Sequence, residues 1–294
     1  MASATRLTRR ALLTAGVVLL PATACEAAWH GDFRTRLDAV ERHAGGRFGV
    51  AALDTESGVR IVHRGKERFA MCSTFKFLAV AAMLRKDDEA NLSPDRFVKY
   101  DAADLLSYAP VTRAHVAEGG MTLDGLCAAA IEYSDNTAAN LILRELGGPS
   151  GVTAFARSLG DPFTRLDRTE PTLNTAIPGD PRDTTTPLAT LDDMQKILLG
   201  HALPAAGRRK LTGWMLASKT ADARLRAGLP KTWRVGSKTG TGGNGTANEI
   251  AILFPLGRKP ILVASYLTNT KISAAERDST HAEVGRIIAT AFSG

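Results

Sequence analysis

The strand-like segments of this sequence lie at its two ends, and a long region with helical patterning separates them. Residues 48–54 and 59–63 flank a Glu-Ser-Gly turn and predict a β-hairpin near the start of the chain. Strand patterning returns only at residues 233–241, 250–254 and 261–267. A single, mostly antiparallel sheet of five strands, assembled from both ends of the chain, accounts most simply for this order.

Helical patterning fills the region between these strands and also flanks them. We therefore predict an α/β (α+β) fold over residues 29–294, in which the sheet is flanked by helices and joined to an all-helical subdomain. The sheet part is expected to comprise residues 29–66 and 216–294, and the helical part residues 67–215. A ligand cleft is expected where the two parts meet, because pockets form preferentially at such interfaces. The predicted helices are residues 33–44, 73–84, 123–133, 137–146, 191–199 and 274–292.

The 294 residues are 44% hydrophobic and 23% charged, which is ordinary for a globular protein and argues against bulk disorder. The basic residues that give a net charge of +7 are scattered and are not interleaved with aromatic residues, so no nucleic-acid partner is expected. This charge either attracts anionic substrates or only keeps the protein soluble. The six histidines show no metal-binding spacing, so neither a metal nor a cofactor is expected.

The first residues have the pattern of an export signal. Three arginines precede an apolar run at residues 11–20, and the small residues 22–24 offer a cleavage site. Two of these arginines are adjacent and resemble a twin-arginine signal, which exports folded proteins. We therefore treat residues 1–28 as an export signal and expect a periplasmic or secreted protein, with no transmembrane segment in its mature chain. Cys25 directly follows the small residues, so a lipid-anchored N-terminus stays open as an alternative.

Ser73 and Lys76 form a Ser-x-x-Lys motif at the start of an apolar helical run. Residues three apart lie on one face of a helix, and a serine at a helix N-terminus sits among backbone N–H groups that favour developing negative charge. A lysine with a lowered pKa could take the proton of the serine hydroxyl. The alternative is a capping serine beside an exposed lysine, so this motif alone does not identify a nucleophile.

Two further motifs occur in a suitable structural context. Residues 134–136 are Ser-Asp-Asn between two helical stretches, and residues 238–240 are Lys-Thr-Gly late in a strand. The strand period of two places Thr239 and Thr241 on one face, and Gly240 lets a substrate approach the strand edge. In this order, the three motifs resemble the signature of class A β-lactamases and penicillin-binding proteins.

The segment at residues 168–174, Arg-Thr-Glu-Pro-Thr-Leu-Asn, closely resembles the omega loop of class A β-lactamases. In that family the glutamate and the asparagine, here Glu170 and Asn174, hold the hydrolytic water, and a carboxylate is a competent general base. Penicillin-binding proteins generally lack this element, so the sequence is identified as a member of the class A family. The competing interpretations are a DD-peptidase and a β-lactam sensor that is acylated only once, and both leave these two residues unexplained.

The resemblance implies that β-lactam amide bonds are hydrolysed through an acyl-enzyme on Ser73, which would give antibiotic resistance. Lys76 and Glu170 both remain candidates for activating Ser73. The backbone N–H groups of Ser73 and Thr241 would form the oxyanion hole. Ser134 would protonate the departing lactam nitrogen, and Glu170 would then activate the deacylating water. The residues implied to bind substrate are Asn136, Lys238, Thr239, Gly240, Thr241, Arg224 and Tyr108.

Other positions have structural or specificity roles by the same resemblance. Arg168 and Asp183 match the ion pair that closes the omega loop, and the peptide bond before Pro171 is expected to be cis. Arg224 matches a carboxylate-binding arginine found in one branch of the family. Ala247 occupies the position of the alternative arginine, and this favours the assignment of Arg224.

The two cysteines of the predicted mature chain are expected to be free thiols. Cys72 matches a cysteine that in many relatives is bonded to a partner, but the partner position here is Gly242. Cys127 matches one half of another family disulfide, and its partner position is Val80. Each thiol is therefore expected to pack as a small buried apolar group.

The resemblance also bears on ligands and assembly. Thr241, Gly242, Cys72 and Arg224 together suggest a substrate spectrum that includes cephalosporins. Tyr108 either flanks the entrance of the cleft, as in the family, or is an ordinary surface tyrosine. The expected ligands are β-lactams and β-lactamase inhibitors, and a monomer is the default because one chain supplies a complete site.

Overall fold

The computed structural model describes residues 22–90, 93 and 95–292, with side chains from residue 33 onward. Of the predicted export signal, residues 1–21 and the side chain of Cys25 lie outside the described part of the chain. None of the described helices is long and apolar enough to cross a membrane.

One sheet contains the strands from the two ends of the chain, namely β1 (Arg47–Asp54), β2 (Arg60–His63), β3 (Arg234–Thr241), β4 (Ala247–Phe254) and β5 (Ile261–Thr268). Their order across the sheet is β2-β1-β5-β4-β3, and each pairing is antiparallel. The first strand therefore pairs with the last, and Val50 lies opposite Ser265. This arrangement confirms the predicted fold class. Two short antiparallel pairs lie elsewhere, Phe69–Ala70 with Thr184–Thr185 and Phe97–Lys99 with Gly120–Thr122.

The α-helices are, in chain order, α1 (Ala22–Ala44), α2 (Phe75–Glu89), α3 (Leu123–Glu132), α4 (Asn136–Glu145), α5 (Pro149–Ser158), α6 (Pro187–Met194), α7 (Ala205–Leu216), α8 (Leu225–Gly228) and α9 (Ala274–Phe292). The first helix begins earlier than the sequence predicted, and α6 continues into a π-helical turn at Gln195–Leu199. The sequence did not predict α5 or α7. The glycines at 147 and 148 indicated only the end of α4, but Pro149 directly after them begins α5, because proline suits the first position of a helix.

Side-chain caps fix the starts of the two helices beside the cleft. Thr122 accepts a hydrogen bond from Gly125 N at the start of α3 over 3.1 Å, and Asp135 accepts one from Ala138 N at the start of α4 over 2.9 Å. Each cap satisfies a backbone donor that has no partner within the helix, and it contributes about 1 kcal/mol. The predicted Ser-Asp-Asn motif spans the start of α4, with Asp135 as its cap and Asn136 as its first residue, so the cap holds the motif firmly.

The sheet separates two hydrophobic cores. One core lies between the sheet and the helices α1, α8 and α9, and it includes Leu37 and Val284. The other lies between the sheet and the helices from the middle of the chain, and it includes Phe75. Alternation along β4 supplies both cores, since Ala251 faces the first and Ile250 faces the second.

One buried carboxyl in α6 lacks the hydrogen bonds that such a group normally has. Asp193 is 1% exposed, and no donor within the described residues reaches either of its side-chain oxygens. Burial, followed by the neighbouring carboxyl of Asp161, raises the pKa of Asp193 to about 9. No donor in the described part of the chain stabilises a negative charge on this buried side chain, and a second carboxyl lies nearby, so the neutral form of Asp193 is favoured near pH 7.

Candidate active site

The predicted nucleophile lies where a 3₁₀ turn, Cys72–Thr74, leads into α2. Ser73 is buried on this turn. Gly240 of β3 packs directly against it, and a Cβ at Gly240 would lie 2.8 Å from Met71 O and 3.2 Å from Ser73 N. Only glycine lets β3 approach the nucleophile so closely, and this is a second reason for the glycine besides access for a substrate.

Ser73, Lys76 and Glu170 meet around one carboxylate oxygen. Ser73 Oγ donates a hydrogen bond to Glu170 Oε1 over 3.1 Å, and Lys76 Nζ lies 3.0 Å from the same oxygen. The side chains of Lys76 and Glu170 are fully buried, so removal of either one would leave its partner as an uncompensated buried charge. The structure therefore brings both candidate bases to the nucleophile.

Lys76 also connects the first motif to the second. Its Nζ donates to Asn136 Oδ1 over 2.6 Å and to Ser134 O over 2.7 Å, and it lies 3.3 Å from Ser134 Oγ. Burial lowers the pKa of Lys76, and the carboxylate of Glu170 opposes this effect. A lysine in this environment can give up a proton more readily than one in water.

Lys238 approaches Ser134 from the sheet. Its Nζ donates to Ser134 Oγ over 2.9 Å and to Thr239 O over 2.7 Å. Burial, followed by the nearby charge of Lys76, holds the pKa of Lys238 well below its usual range. Because both lysines donate to Ser134 Oγ, the hydrogen of this hydroxyl is available to a substrate in the cleft.

Two asparagines hold Glu170. Asn174 Nδ2 donates to Glu170 Oε2 over 2.5 Å. Asn140 on α4 pairs with the backbone of Glu170 in both directions, through its Nδ2 and its Oδ1, over 2.9 Å each. Asn174 Oδ1 is buried, and no donor within the described residues reaches it. An acceptor of this kind beside a carboxylate suits a bound water, since buried polar atoms normally have a hydrogen-bond partner.

An ion pair closes the loop that carries Glu170. Arg168 Nε donates to Asp183 Oδ2 over 2.5 Å, and Asp183 is fully buried. Asp183 Oδ1 also accepts hydrogen bonds from the backbone N–H groups of Asp167 and Arg168 over 2.8 and 2.9 Å. The peptide bond before Pro171 is cis, as expected. The structure thus brings together both partners of the predicted pair.

A cleft of about 290 Å³ opens above these buried groups. Arg224 is nearly buried beside it and donates through Nη2 to Thr241 Oγ1 over 2.9 Å. Tyr108 is half exposed at the rim, and its hydroxyl donates to Tyr133 O over 3.2 Å. The cleft is lined by Ser73, Tyr108, Ser134, Asn136, Asn174, Thr220, Arg224, Thr239, Gly240 and Thr241.

Two residues of the site, Thr220 and Asn140, were not found from the sequence, and no role was predicted for Asp135 in the middle of the second motif. Thr220 lines the cleft with its Oγ1 2.6 Å from Thr239 Oγ1. Asn140 holds the backbone of Glu170, and Asp135 accepts hydrogen bonds from two backbone N–H groups of the loop that follows Tyr108. Asn140 lies one helical turn after the second motif, so its i+4 spacing could have placed it on the same face. No local signal marks Thr220.

Cys72 and Cys127, the cysteines whose side chains the structure describes, are buried and unpaired, as predicted. Burial raises the pKa of Cys72 to about 12, and it also raises the pKa of Cys127. A Cβ at Gly242 would lie 2.6 Å from Cys72 Sγ, so the predicted partner position of Cys72 is indeed adjacent to it. Neither thiol has the exposure or the acidity of a catalytic cysteine.

Comparison with known proteins agrees with this geometry. Residues 32–292 match the beta-lactamase enzyme family. The chain is 46% identical to the β-lactamase CTX-M-25 of Escherichia coli, with 97% of this chain and 98% of that protein covered. It is 45% identical to the β-lactamase OXY-2 of Klebsiella oxytoca, with 95% and 96% covered. Among solved structures, an ancestral (GNCA) class A β-lactamase is 55% identical with a TM-score of 0.87, over 88% of this chain and 100% of that one.

Proposed function

Because the chain belongs to the class A serine β-lactamase family and is a hydrolase of β-lactams, we propose that Ser73 forms the acyl-enzyme and that Glu170 activates the water that releases it. One observation carries this assignment. Ser73 Oγ contacts Glu170 Oε1 directly over 3.1 Å, while Asn174 holds the other oxygen of the same carboxylate. A nucleophile, a base and a group that orients the base are the parts that acyl transfer requires.

In acylation, Ser73 Oγ attacks the carbonyl carbon of the lactam, and its proton passes to a base. Glu170 contacts the hydroxyl directly, and Lys76 lies against the same carboxylate oxygen with a lowered pKa. Glu170 can accept the proton directly, and Lys76 can accept it in its neutral form, which burial favours by lowering its pKa. The backbone N–H groups of Ser73 and Thr241 lie on facing segments, and they stabilise the charge that develops on the carbonyl oxygen.

Cleavage of the lactam bond requires a proton on the departing nitrogen. Ser134 Oγ accepts hydrogen bonds from Lys76 and Lys238, so its own hydrogen can be given to the nitrogen. One of the two lysines then returns a proton to Ser134. Burial favours this transfer because it lowers the pKa of both lysines.

Deacylation uses the water site beside Glu170. The water donates one hydrogen bond to the unpartnered Asn174 Oδ1, and Glu170 takes a proton as the oxygen attacks the ester carbonyl. The bond between the acyl carbon and Ser73 Oγ then breaks, and Glu170 returns the proton to Ser73 Oγ over the short contact between them. The double contact of Asn140 with the backbone of Glu170 keeps the carboxylate in place throughout. A rigid, preoriented base lowers the barrier without any rearrangement during the reaction.

The substrate binds through its carboxylate and its side-chain amide. Thr239 and Thr241 present hydroxyls to the carboxylate, and Lys238 and Arg224 supply positive charge behind them. Asn136 receives the amide, and Tyr108 covers the rim. We propose that cephalosporins are accepted together with penicillins, because Thr241 and Arg224, two of the residues that suggest this spectrum, lie in contact at the cleft.

The decisive experiment mixes the mature enzyme with an excess of a chromogenic cephalosporin. Many turnovers per enzyme are expected, and Glu170→Ala should reduce them to a single stoichiometric burst, with the acyl-enzyme visible by mass spectrometry. Glu118→Ala is the matched control, because this glutamate is 63% exposed and lies outside the cleft. Its turnover should equal that of the unaltered enzyme.

Two outcomes would contradict the proposal. A single burst from the unaltered enzyme would indicate a peptidase or a sensor, and undiminished turnover by Glu170→Ala would exclude Glu170 from deacylation. The rate of the burst in this variant also separates the two bases. Fast acylation without Glu170 assigns the proton transfer to Lys76, and slow acylation assigns it to Glu170.

We also propose that the protein is exported through residues 1–28 and acts as a monomer, with a sheet part and a helical part meeting at the cleft. The adjacent arginines and the small-residue cleavage site support export. Mass spectrometry of the protein from the periplasm tests it, since an unprocessed N-terminus would contradict the proposal. A mass increase at Cys25 would indicate the lipid anchor instead.

A further inference from the structure

A carboxyl group that the proposed mechanism does not use lies behind the cleft, on β4. Glu249 is fully buried and stands opposite Thr239 of the neighbouring strand. Its Oε1 accepts a hydrogen bond from Ser237 Oγ over 2.6 Å, and its Oε2 accepts one from Leu225 N over 2.9 Å. Because a buried carboxyl is costly unless its oxygens are hydrogen-bonded, these two contacts fix the side chain in one place.

Each partner of Glu249 adjoins a cation of the cleft. Ser237 precedes Lys238 on β3, and Leu225 follows Arg224 at the start of α8. The first N–H groups of a helix have no acceptor within the helix, and α8 has only four residues to hold its own position. By accepting the first of these N–H groups, Glu249 determines where α8 begins and where the Arg224 side chain leaves the backbone.

On the basis of the proposed function, we propose that Glu249 is a positioning residue for the binding of the substrate carboxylate. Glu249 holds the backbone at Arg224, and the Arg224 guanidinium therefore stays in contact with Thr241. The guanidinium donates to Thr241 Oγ1 over 2.9 Å. It also donates to the carbonyl oxygens of Gly240 and Asn248 over 3.1 and 2.6 Å. A guanidinium presents its donors in a fixed fork, so a small movement of its backbone disturbs these bonds together.

A movement of the Arg224 backbone would affect the bound substrate through Thr241. Its Oγ1 accepts the hydrogen bond from Arg224, so its own hydrogen can be donated to a carboxylate in the cleft. Asp278 on α9 also holds Arg224, through Nε over 2.7 Å, but this carboxylate is 31% exposed and contacts only the side chain. The backbone of Arg224 itself is hydrogen-bonded to Ala221 and Ala227, and Glu249 adds a buried side-chain contact to the next N–H, that of Leu225.

The role requires acceptor atoms at a fixed distance rather than a full negative charge. Burial raises the pKa of Glu249 to about 7, so neutral solutions contain both its ionised and its neutral form. Glutamine has the same length, with a carbonyl oxygen for Leu225 N and an amide that can donate to Ser237 Oγ. Aspartate is one methylene shorter, so it cannot reach both partners.

The test compares Glu249→Ala, Glu249→Asp and Glu249→Gln with the unaltered enzyme in steady-state hydrolysis of benzylpenicillin. The Ala and Asp variants should raise KM about tenfold with kcat changed by less than about twofold, whereas the Gln variant should keep KM within about twofold. Circular dichroism confirms folding, and if the Ala variant does not fold, the Asp and Gln variants alone decide the question. A merely structural role would lower the active fraction, and hence kcat, at unchanged KM.

A double-mutant cycle with Arg224→Ala shows whether Glu249 acts through that arginine. If it does, Glu249→Asp should change KM by less than about twofold once Arg224 is absent. Independent, multiplicative effects on KM would overturn the proposal, as would an unchanged KM in the folded Asp variant or an equal loss in the Gln variant. Absence of turnover by the unaltered enzyme would refute the proposed function instead, so the two failures are distinguishable.

Discussion

Asp193→Asn should stabilise the protein, and the gain should grow as the pH rises. The pKa of the Asp193 carboxyl is about 9 in the folded protein, against an ordinary value of 3.8. Between these two values the folded protein keeps a proton that the unfolded chain has lost. The free energy of unfolding therefore falls as pH rises, by about 1.4 kcal/mol per pH unit from this group alone.

At pH 7 the free energy of unfolding is therefore lower by about 4 kcal/mol than it is at pH values below 3.8. Asparagine has nearly the same shape and no proton to lose, and its amide can donate to the carboxylate of Asp161, the neighbour that helps to raise the pKa. The difference in free energy of unfolding between the variant and the unaltered protein should therefore increase by about 4 kcal/mol from pH 5 to pH 8. Catalysis should not change, since Asp193 lies outside the cleft.

Urea denaturation at pH 5, 6, 7 and 8 measures this difference. Asp192→Asn is the matched control, because the neighbouring Asp192 is 43% exposed and pairs with Arg60 over 2.8 Å. Its effect should stay below about 1 kcal/mol at each pH. A stability gap between Asp193→Asn and the unaltered protein that is the same at pH 5 and pH 8 would refute the reasoning, because it would show that the folded protein does not keep the proton.

Two substitutions and one thiol-labelling experiment test the packing of the site. Gly240→Ala should lower kcat/KM at least about tenfold, because the added Cβ meets the backbone of the turn that carries Ser73. Its control is Gly213→Ala, where a Cβ would meet nothing within 4 Å, and this variant should keep full activity and stabilise α7 by about 1 kcal/mol. Asn140→Ala removes both contacts with the Glu170 backbone and should slow deacylation about tenfold, so that acyl-enzyme accumulates in a mass spectrum; unchanged deacylation would exclude the positioning role. Cys72 should react with a thiol reagent only after unfolding, since burial raises its pKa to about 12, and rapid reaction of the folded enzyme would contradict its buried position.

The parts of the site that could be predicted from the sequence are those encoded in short segments. Ser73 and Lys76 are three residues apart across the 3₁₀ turn and the start of α2, and Glu170 and Asn174 are four apart in one loop, so each pair is placed by local geometry alone. Short apolar runs bounded by turn residues identified the strands for the same reason. Local periodicity therefore indicated both the sheet and the groups most directly involved in chemistry.

The residues that were missed act through contacts between distant segments. Thr220 meets Thr239 from a loop after α7, and nothing in the sequence around Thr220 indicates that this loop crosses the end of β3. Glu249 follows Asn248 just before the apolar part of β4, and its partners become visible only when the strand register is known. Such contacts depend on tertiary packing, which a pattern with a period of two or 3.6 residues does not encode.

The pairing of β1 with β5 also has a consequence for biosynthesis. Val50 cannot pair with Ser265 until nearly the whole chain has been synthesised, and the strand that carries Lys238 and Thr241 follows Ser73 by 161 to 168 residues. Until β5 has been synthesised, one edge of β1 in the first hairpin stays unpaired, and other chains or chaperones can bind to it. Hydrolytic activity should therefore arise late and all at once, so that a nascent or truncated chain ending before β5 carries the nucleophile without a working site.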